Sequence, residues 1–194
     1  MTISGNYKVV LDSCVLLPPS VCDLFLRLAE TPKLYEPKWT GSILEEVRRN
    51  QIGKFSYPED LADYWRSEVT RSFPGALVED YEPFIEKCQN EEKDRHVLAA
   101  AIRGNVDSII TFNLKHFPKF ALAPWNIKAV DPAAFVLCLY EMKPAIVLSK
   151  LDDMSADRNK ARVETLSVLQ KTIPSFVNRI VTELEISLPL PIAK

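Results

Sequence analysis

Asn90 to Pro118 reads NEEKDRHVLAAAIRGNVDSIITFNLKHFP, the pattern of a helix, a tight turn, a buried strand and an abrupt stop. Val97, Leu98, Ala101 and Ile102 form an apolar stripe at helical spacing. Asp94 leads that same face. A carboxylate at the head of a buried stripe is costly unless something pairs with it, and a bound cation is one such partner. Asn90 is suited to cap the helix, with Glu91 and Glu92 in a dipole-favoured first turn, which places Asp94 inside on the buried side. The alternative is that Asp94 is itself the cap. Beyond the turn, the strand around Ile109 ends just before Asn113.

Working outward, Tyr7 to Leu11 (YKVVL) is a short β-branched run that delivers Asp12 at its C-terminal tip. In open α/β sheets ligands bind outside the carboxyl ends of the strands. Asp12 and Asn113 are both brought to that edge, and the first turn of the helix carrying Asp94 can face it. Pro18 and Pro19 open a helix with Val21, Leu24, Phe25 and Leu28 inward. A short strand follows at Lys33 to Pro37. Thr40 or Ser42 caps the next helix, whose inner residues are Ile43, Leu44 and Val47. A helix from Pro58 to Ser72 carries Leu61, Tyr64, Trp65 and Val69. A brief strand at Ala76 to Val78 and a short helix at Glu82 to Gln89 complete the approach to Asn90. The last strand is Ile127 to Val130, before an Asp131-Pro132 helix start. Strands alternating with helices predict a mainly parallel sheet covered on both faces, a three-layer α/β/α sandwich. From Met142 onward no strand signal appears. Two or three helices are separated by polar stretches, chiefly Asp152 to Lys160. Thr172 and Pro174 start the last helix, with Phe176, Val177, Ile180, Val181 and Leu184 as its apolar face. Pro189 to Lys194 are expected to fray. The division is therefore residues 1–140 as the sheet-containing domain and 141–194 as a C-terminal helical extension.

With 194 residues and 47% apolar content the chain can bury a full core. A net charge of −2 gives no global nucleic-acid signature. Cys14, Cys22, Cys88 and Cys138 have no C-x-x-C pairing, and there are only two histidines, His96 and His116. Neither a disulfide framework nor a zinc site is indicated. No apolar run approaches the ~18 residues that span a bilayer, so a soluble, cytoplasmic protein with no membrane partner is expected.

DSCVLLP at Asp12, EEV at Glu45–Val47, DRHVLAAAIRG at Asp94 and IITFNLKHFP at Ile109 together resemble the PIN-domain ribonucleases. They are most similar to the VapC-type toxins of bacterial toxin–antitoxin modules, in the subgroup with an extra C-terminal helical region. The resemblance runs from about Tyr7 to Phe135. It implies a PIN-like fold and a metal-dependent ribonuclease with Asp12, Glu46, Asp94 and Asn113 as its catalytic set. It also implies Mg2+ or Mn2+ held by Asp12, Glu46 and Asp94, transfer or ribosomal RNA as substrate, a cognate antitoxin protein as partner, and in many relatives a homodimer. Oxygen donors suit those ions, which activate water and stabilise a leaving oxygen in phosphodiester hydrolysis.

The second acid lies between Glu45 and Glu46. Against the Ile43/Leu44/Val47 stripe Glu46 falls on the flank and Glu45 nearly opposite, which favours Glu46. Asn113 stands where many relatives carry a fourth acid, and would act through its amide oxygen or a metal-bound water. Thr111 can hold Asp12 or a metal-bound water by its hydroxyl. Cys14 stands where relatives have a small polar residue and reads as a buried thiol. Lys115, His116 and Lys119 form one basic cluster, and Arg48, Arg49 and Lys54 another; either can steer a phosphate backbone. His96 reads as structural, and Asp107 falls at the opposite sheet edge. Two competing functions are a non-catalytic RNA-binding or protein-interaction module on this scaffold, and a haloacid dehalogenase-type phosphatase. The latter needs a second aspartate where Cys14 stands.

Overall fold

A computed structural model of the chain describes Ile3 and residues 6–188; the expected fraying of Pro189 to Lys194 lies outside them. The elements run β1 (Lys8–Leu11), α1 (Ser13–Leu16), α2 (Pro19–Ala29), β2 (Glu36–Lys38), α3 (Gly41–Phe55), α4 (Glu59–Ser72), α5 (Arg95–Arg103), β3 (Ser108–Ile110), α6 (Lys119–Leu122), β4 (Lys128–Val130), α7 (Pro132–Met142), α8 (Pro144–Ala156), α9 (Arg162–Leu169) and α10 (Pro174–Glu183). Short 3-10 turns occupy Glu82–Lys87, Glu92–Asp94, Leu114–His116 and Ala123–Trp125.

The four strands form a wholly parallel sheet in the order β2-β1-β3-β4. Val9, Val10, Leu11, Ile109 and Ile110 have no exposed surface. Because successive strand residues point to opposite faces, both faces must be covered, which is the three-layer α/β/α arrangement expected. Helix α5 packs on β1 and β3. Elsewhere Phe25 of α2, Tyr35 and Phe135 of α7 form an aromatic cluster, the Tyr35 and Phe135 rings meeting edge to face at 5.1 Å. The chain leaves β1 for β2 on one side and reaches β3 on the other, so the point where strand order reverses lies between the tips of β1 and β3. That crevice is where such sheets bind ligands.

Local chemistry explains most boundaries. Thr40 caps α3, its hydroxyl accepting the Ile43 N–H at 3.1 Å, while Ser42 instead bonds the Tyr81 hydroxyl at 2.6 Å. Asp131 caps α7 through the Ala133 and Ala134 N–H groups, with Pro132 in the first turn. Other expectations need correction. Ala76–Val78 is not a full strand: it makes a single parallel bridge, Trp39 to Leu77. Glu82 begins a 3-10 turn and not an α-helix. Thr172 does not cap α10; Ile173 holds that position without a side-chain bond, and Pro174 supplies the start. On α4 the buried residues are Ala62 and Val69, whereas Leu61 and Tyr64 are exposed. Taking ~100° per residue, Leu61 lies ~100° and Tyr64 ~160° from Ala62 around the helix.

Beyond β4 the chain is helical. Helix α8 packs on α2 and α7, and α10 packs on α7. Val147, Leu151, Met154, Phe176 and Ile180 join the same apolar core as the sheet residues. Among the described residues no helix is long and apolar enough to cross a membrane, although α7 and α8 reach that length and composition as a pair bent by 118°.

Candidate active site

Asp12 follows the last residue of β1, and its backbone N–H continues the ladder by donating to Ile110 O at 3.1 Å. It stands at the N-cap position of α1, but its side chain makes no cap bond. Its carboxylate is instead held from the tip of the neighbouring strand. The Thr111 hydroxyl donates to Oδ2 at 2.6 Å and the Cys14 thiol donates to the same oxygen at 3.2 Å. The other oxygen, Oδ1, receives only a long contact of 3.4 Å from the Ser13 hydroxyl. Asp12 is 3% exposed. A carboxylate buried to that degree is tolerated because donors surround it. Thr111 is fully buried, and its oxygen also accepts the Asn113 N–H at 3.0 Å. The Cys14 sulfur accepts the Phe112 N–H at 3.3 Å. Burial, and after it the neighbouring Asp12 charge, pushes that thiol up to about 12.

Asp94 is placed differently from the Asn90-capped expectation. Asn90 caps nothing; Glu92–Asp94 form a 3-10 turn and α5 begins at Arg95, which leaves Asp94 at the N-cap position without a side-chain cap bond. Both polar atoms of the Asn90 side chain are buried without a hydrogen-bond partner. Asp94 Oδ2 lies 2.7 Å from His116 Nδ1, with both side chains largely buried. The distance is that of an ion pair. The alignment is not that of a hydrogen bond, and both atoms are left without a hydrogen-bond partner.

Glu46 projects from α3 with its side chain 35% exposed, 3.8 Å from His96 Nε2. Glu45 turns away to Arg66 at 2.7 Å and Arg48 at 3.7 Å. Asp12, Glu46, Asp94 and Asn113 all line one open cavity of about 940 Å³ at the carboxyl edge of the sheet. Its remaining wall includes Ser42, Arg49, Asn50, Lys54, Tyr81, Lys93 and His96.

The basic residues divide sharply. Arg49 and Lys54 reach the cavity. Arg48 does not: its guanidinium is held by Asp63, with Glu59 and Glu45 nearby. Lys115 and Lys119 are exposed outside the cavity, and His116 is turned inward onto Asp94. His96 lines the cavity while its Nδ1 contacts Lys93 O at 3.0 Å. Lys93, Asn50, Ser42 and Tyr81 are cavity residues that reading the sequence missed. For Asn50 a signal existed: Arg49, Asn50 and Gly53 follow Glu46 at i+3, i+4 and i+7, one helical face. Lys93 had only its adjacency to Asp94.

Whether this set fits a divalent cation is a question of donor chemistry and spacing. The donors are all oxygens, which suits a hard cation, although Asp94 Oδ2 is turned to His116 Nδ1 at 2.7 Å. Among the described residues no three of the His, Cys, Asp and Glu side chains converge at metal-binding spacing. The arrangement therefore fits an ion held by one or two carboxylates and otherwise by water, the usual habit of magnesium.

No family model matches the chain. No solved structure matches it either. A protein of Mycobacterium tuberculosis (strain ATCC 25618 / H37Rv), named "Putative ribonuclease VapC50", is 37% identical to this chain over 127 residues, which cover 62% of this chain and 75% of that protein.

Proposed function

This chain belongs to the VapC-type PIN family, and on that premise we propose that it is a metal-dependent ribonuclease and the toxin of a toxin–antitoxin pair. The observation that carries the reading is the cavity at the β1–β3 switch point. There a clamped Asp12, an Asp94 beside His116, Glu46 and Asn113 share one wall system with Arg49, Lys54 and Lys93, which have no ion pair among the described residues.

One or two of Asp12, Asp94 and Glu46 would hold Mg2+ or Mn2+ directly and the rest through bound water, with the Asn113 amide oxygen beside them. When bound, such an ion lowers the pKa of a coordinated water and stabilises charge on the leaving oxygen. The chain's own residues do the rest. Thr111 keeps Asp12 in one orientation, its hydroxyl donating at 2.6 Å. Arg49 and Lys54 on α3, and Lys93 across the cavity, are not ion-paired among the described residues. They are placed to take the phosphates flanking the scissile bond, which fixes the strand's register without reading its sequence. Transfer or ribosomal RNA is the proposed substrate class.

Beside α1 lies a groove of about 730 Å³ whose apolar lining includes Leu16, Leu26, Trp65 and Val69 with the exposed Leu61 and Tyr64.

The test is cleavage of total transfer RNA by the purified protein with Mg2+, Mn2+ or EDTA, comparing wild type with Asp94→Asn. Cleavage that requires metal and disappears in Asp94→Asn is the expected result. Equal cleavage in EDTA, or by the variant, refutes the proposed chemistry. Metal binding without any cleavage would leave the non-catalytic module in its place.

A further inference from the structure

The thiol of Cys14 occupies a place that a buried filler residue has no reason to occupy. Three polar groups from two strand tips meet around it. The Cys14 thiol donates to Asp12 Oδ2 at 3.2 Å and its sulfur accepts the Phe112 N–H at 3.3 Å. The Thr111 hydroxyl lies 3.5 Å from the sulfur and donates to the same Oδ2 at 2.6 Å. The Asn113 N–H is anchored on the Thr111 oxygen at 3.0 Å. The thiol thus bridges the tip of β1 to the backbone beyond β3, at the switch point where the site lies.

We propose that Cys14 is a positioning residue. Together with Thr111 it saturates Oδ2 of Asp12, fixes the plane of that carboxylate, and leaves Oδ1 as the oxygen available to the cavity. The hydrogen count supports this division. The Thr111 and Cys14 hydrogens both go to Oδ2, whereas Oδ1 has only the 3.4 Å contact from Ser13. The sulfur is neither a metal ligand nor a nucleophile in this scheme. Its hydrogen goes to Asp12 Oδ2 and its lone pair takes the Phe112 N–H, so the thiol serves as a donor and an acceptor within the protein. A thiol is a weak donor with a larger radius than a hydroxyl. It suits this place because it reaches Asp12 and Phe112 at once.

The proposal rests on Asp12 being a ligand, so its test is read first on protein without RNA. Cys14→Val keeps an apolar side chain, one heavy atom larger, that neither donates nor accepts; Cys14→Ser keeps a donor. Crystal structures of wild type and both variants report the Asp12 orientation, and calorimetry with MnCl2 reports affinity. Loss of an outer-shell partner typically weakens metal binding 10–100-fold. With a thiol as the partner the lower end applies, so Cys14→Val should raise the Mn2+ dissociation constant by about tenfold. Its Asp12 carboxylate should also turn from the wild-type plane. Cys14→Ser should restore both. A Cys14→Val protein with unchanged Asp12 orientation and unchanged Mn2+ affinity overturns the proposal, even if it melts at a lower temperature, because packing alone would explain the melt. If wild type takes up no Mn2+, the metal reading fails. The Asp12 orientation in Cys14→Val then decides the positioning role by itself.

Discussion

Thr111→Val exchanges a buried hydroxyl for a methyl of nearly the same shape, and the structure fixes what that exchange removes. The hydroxyl donates to Asp12 Oδ2 at 2.6 Å and accepts the Asn113 N–H at 3.0 Å, at a position with no exposed surface. A hydrogen bond to a charged group contributes about 1.5–3 kcal/mol, and the orphaned, half-buried N–H adds about 1 kcal/mol. Burying one more methyl offsets about 0.8 kcal/mol. The net loss is then about 2–3 kcal/mol. For a chain of this length, 1 kcal/mol moves the melting temperature by about 2–4 °C, so the variant should melt about 4–12 °C lower. Urea denaturation followed by circular dichroism measures the difference, with the slope expected to stay constant. Thr111→Ser is the control. It keeps both bonds and loses one methyl, for about 1 kcal/mol. The backbone bond from Thr111 N to Val130 O at 3.1 Å is common to all three proteins. A Thr111→Val protein as stable as wild type, or more stable than Thr111→Ser, would refute the claim that this hydroxyl clamps a charged Asp12.

Three further outcomes are expected. Glu46→Gln should reduce RNA cleavage by about a hundredfold or more, since it alters the wall of the site itself. Glu45→Gln should leave cleavage at the wild-type rate and change stability by no more than about 1 kcal/mol, because Glu45 only serves partly exposed ion pairs. The reverse order in a cleavage assay would sink this assignment. Arg49→Ala and Lys93→Ala should each weaken RNA binding and lower the slope of log affinity against log salt by about 0.7, the value for one phosphate contact on a single strand. Arg48→Ala should leave that slope unchanged in the same filter-binding titration. Finally, burial pushes the Cys14 and Cys22 thiols up to about 12 and Cys88 to about 11, above the ordinary value of 9.0. A raised thiol pKa in the folded state means the unfolded chain loses its proton first. These groups therefore leave stability untouched below pH 9 and erode it as pH rises from there toward 12, by up to about 1.4 kcal/mol per unit for each thiol. Native protein at pH 8 should resist iodoacetamide at these three positions, read by mass spectrometry. Rapid labelling of Cys14 in folded protein would contradict the raised pKa of that half-buried thiol.

The centre of the parallel sheet was legible because β1 and β3 are short and rich in β-branched residues. Val9–Leu11 and Ile109–Ile110 carry that pattern, and the polar tips Asp12 and Thr111–Asn113 follow from it. Where the reading failed, a side chain had two plausible partners of similar chemistry. Asn90 before two glutamates is a reasonable helix start, yet Glu91–Asp94 form a tighter turn, the Asp94 N–H donating to Glu91 O at 2.9 Å, and the α-helix begins one residue past Asp94. On α4 the large residues Leu61 and Tyr64 stand exposed, and the small Ala62 sets the buried side. Helical phase ranks faces by hydrophobicity, and an exposed groove lined with apolar residues inverts that ranking locally.

The site shows the same limit at closer range. Phase arguments place a residue's backbone, and they distinguished Glu46 from Glu45 by a rotation of ~100°, in keeping with where the structure sets each side chain. They carry no information about what a side chain meets across the fold. His116 reads as part of a basic cluster from Lys115 to Lys119, yet its ring turns inward to within 2.7 Å of a carboxylate 22 positions earlier in the chain, at Asp94. Arg48 and Arg49 are adjacent in sequence and point ~100° apart, so one serves Asp63 and the other the cavity. Cys14 and Thr111 are separated by 97 residues and act on one oxygen atom. Such pairings arise only once β1 and β3 lie side by side. A switch-point site is therefore legible in its strand tips and illegible in the contacts that orient them.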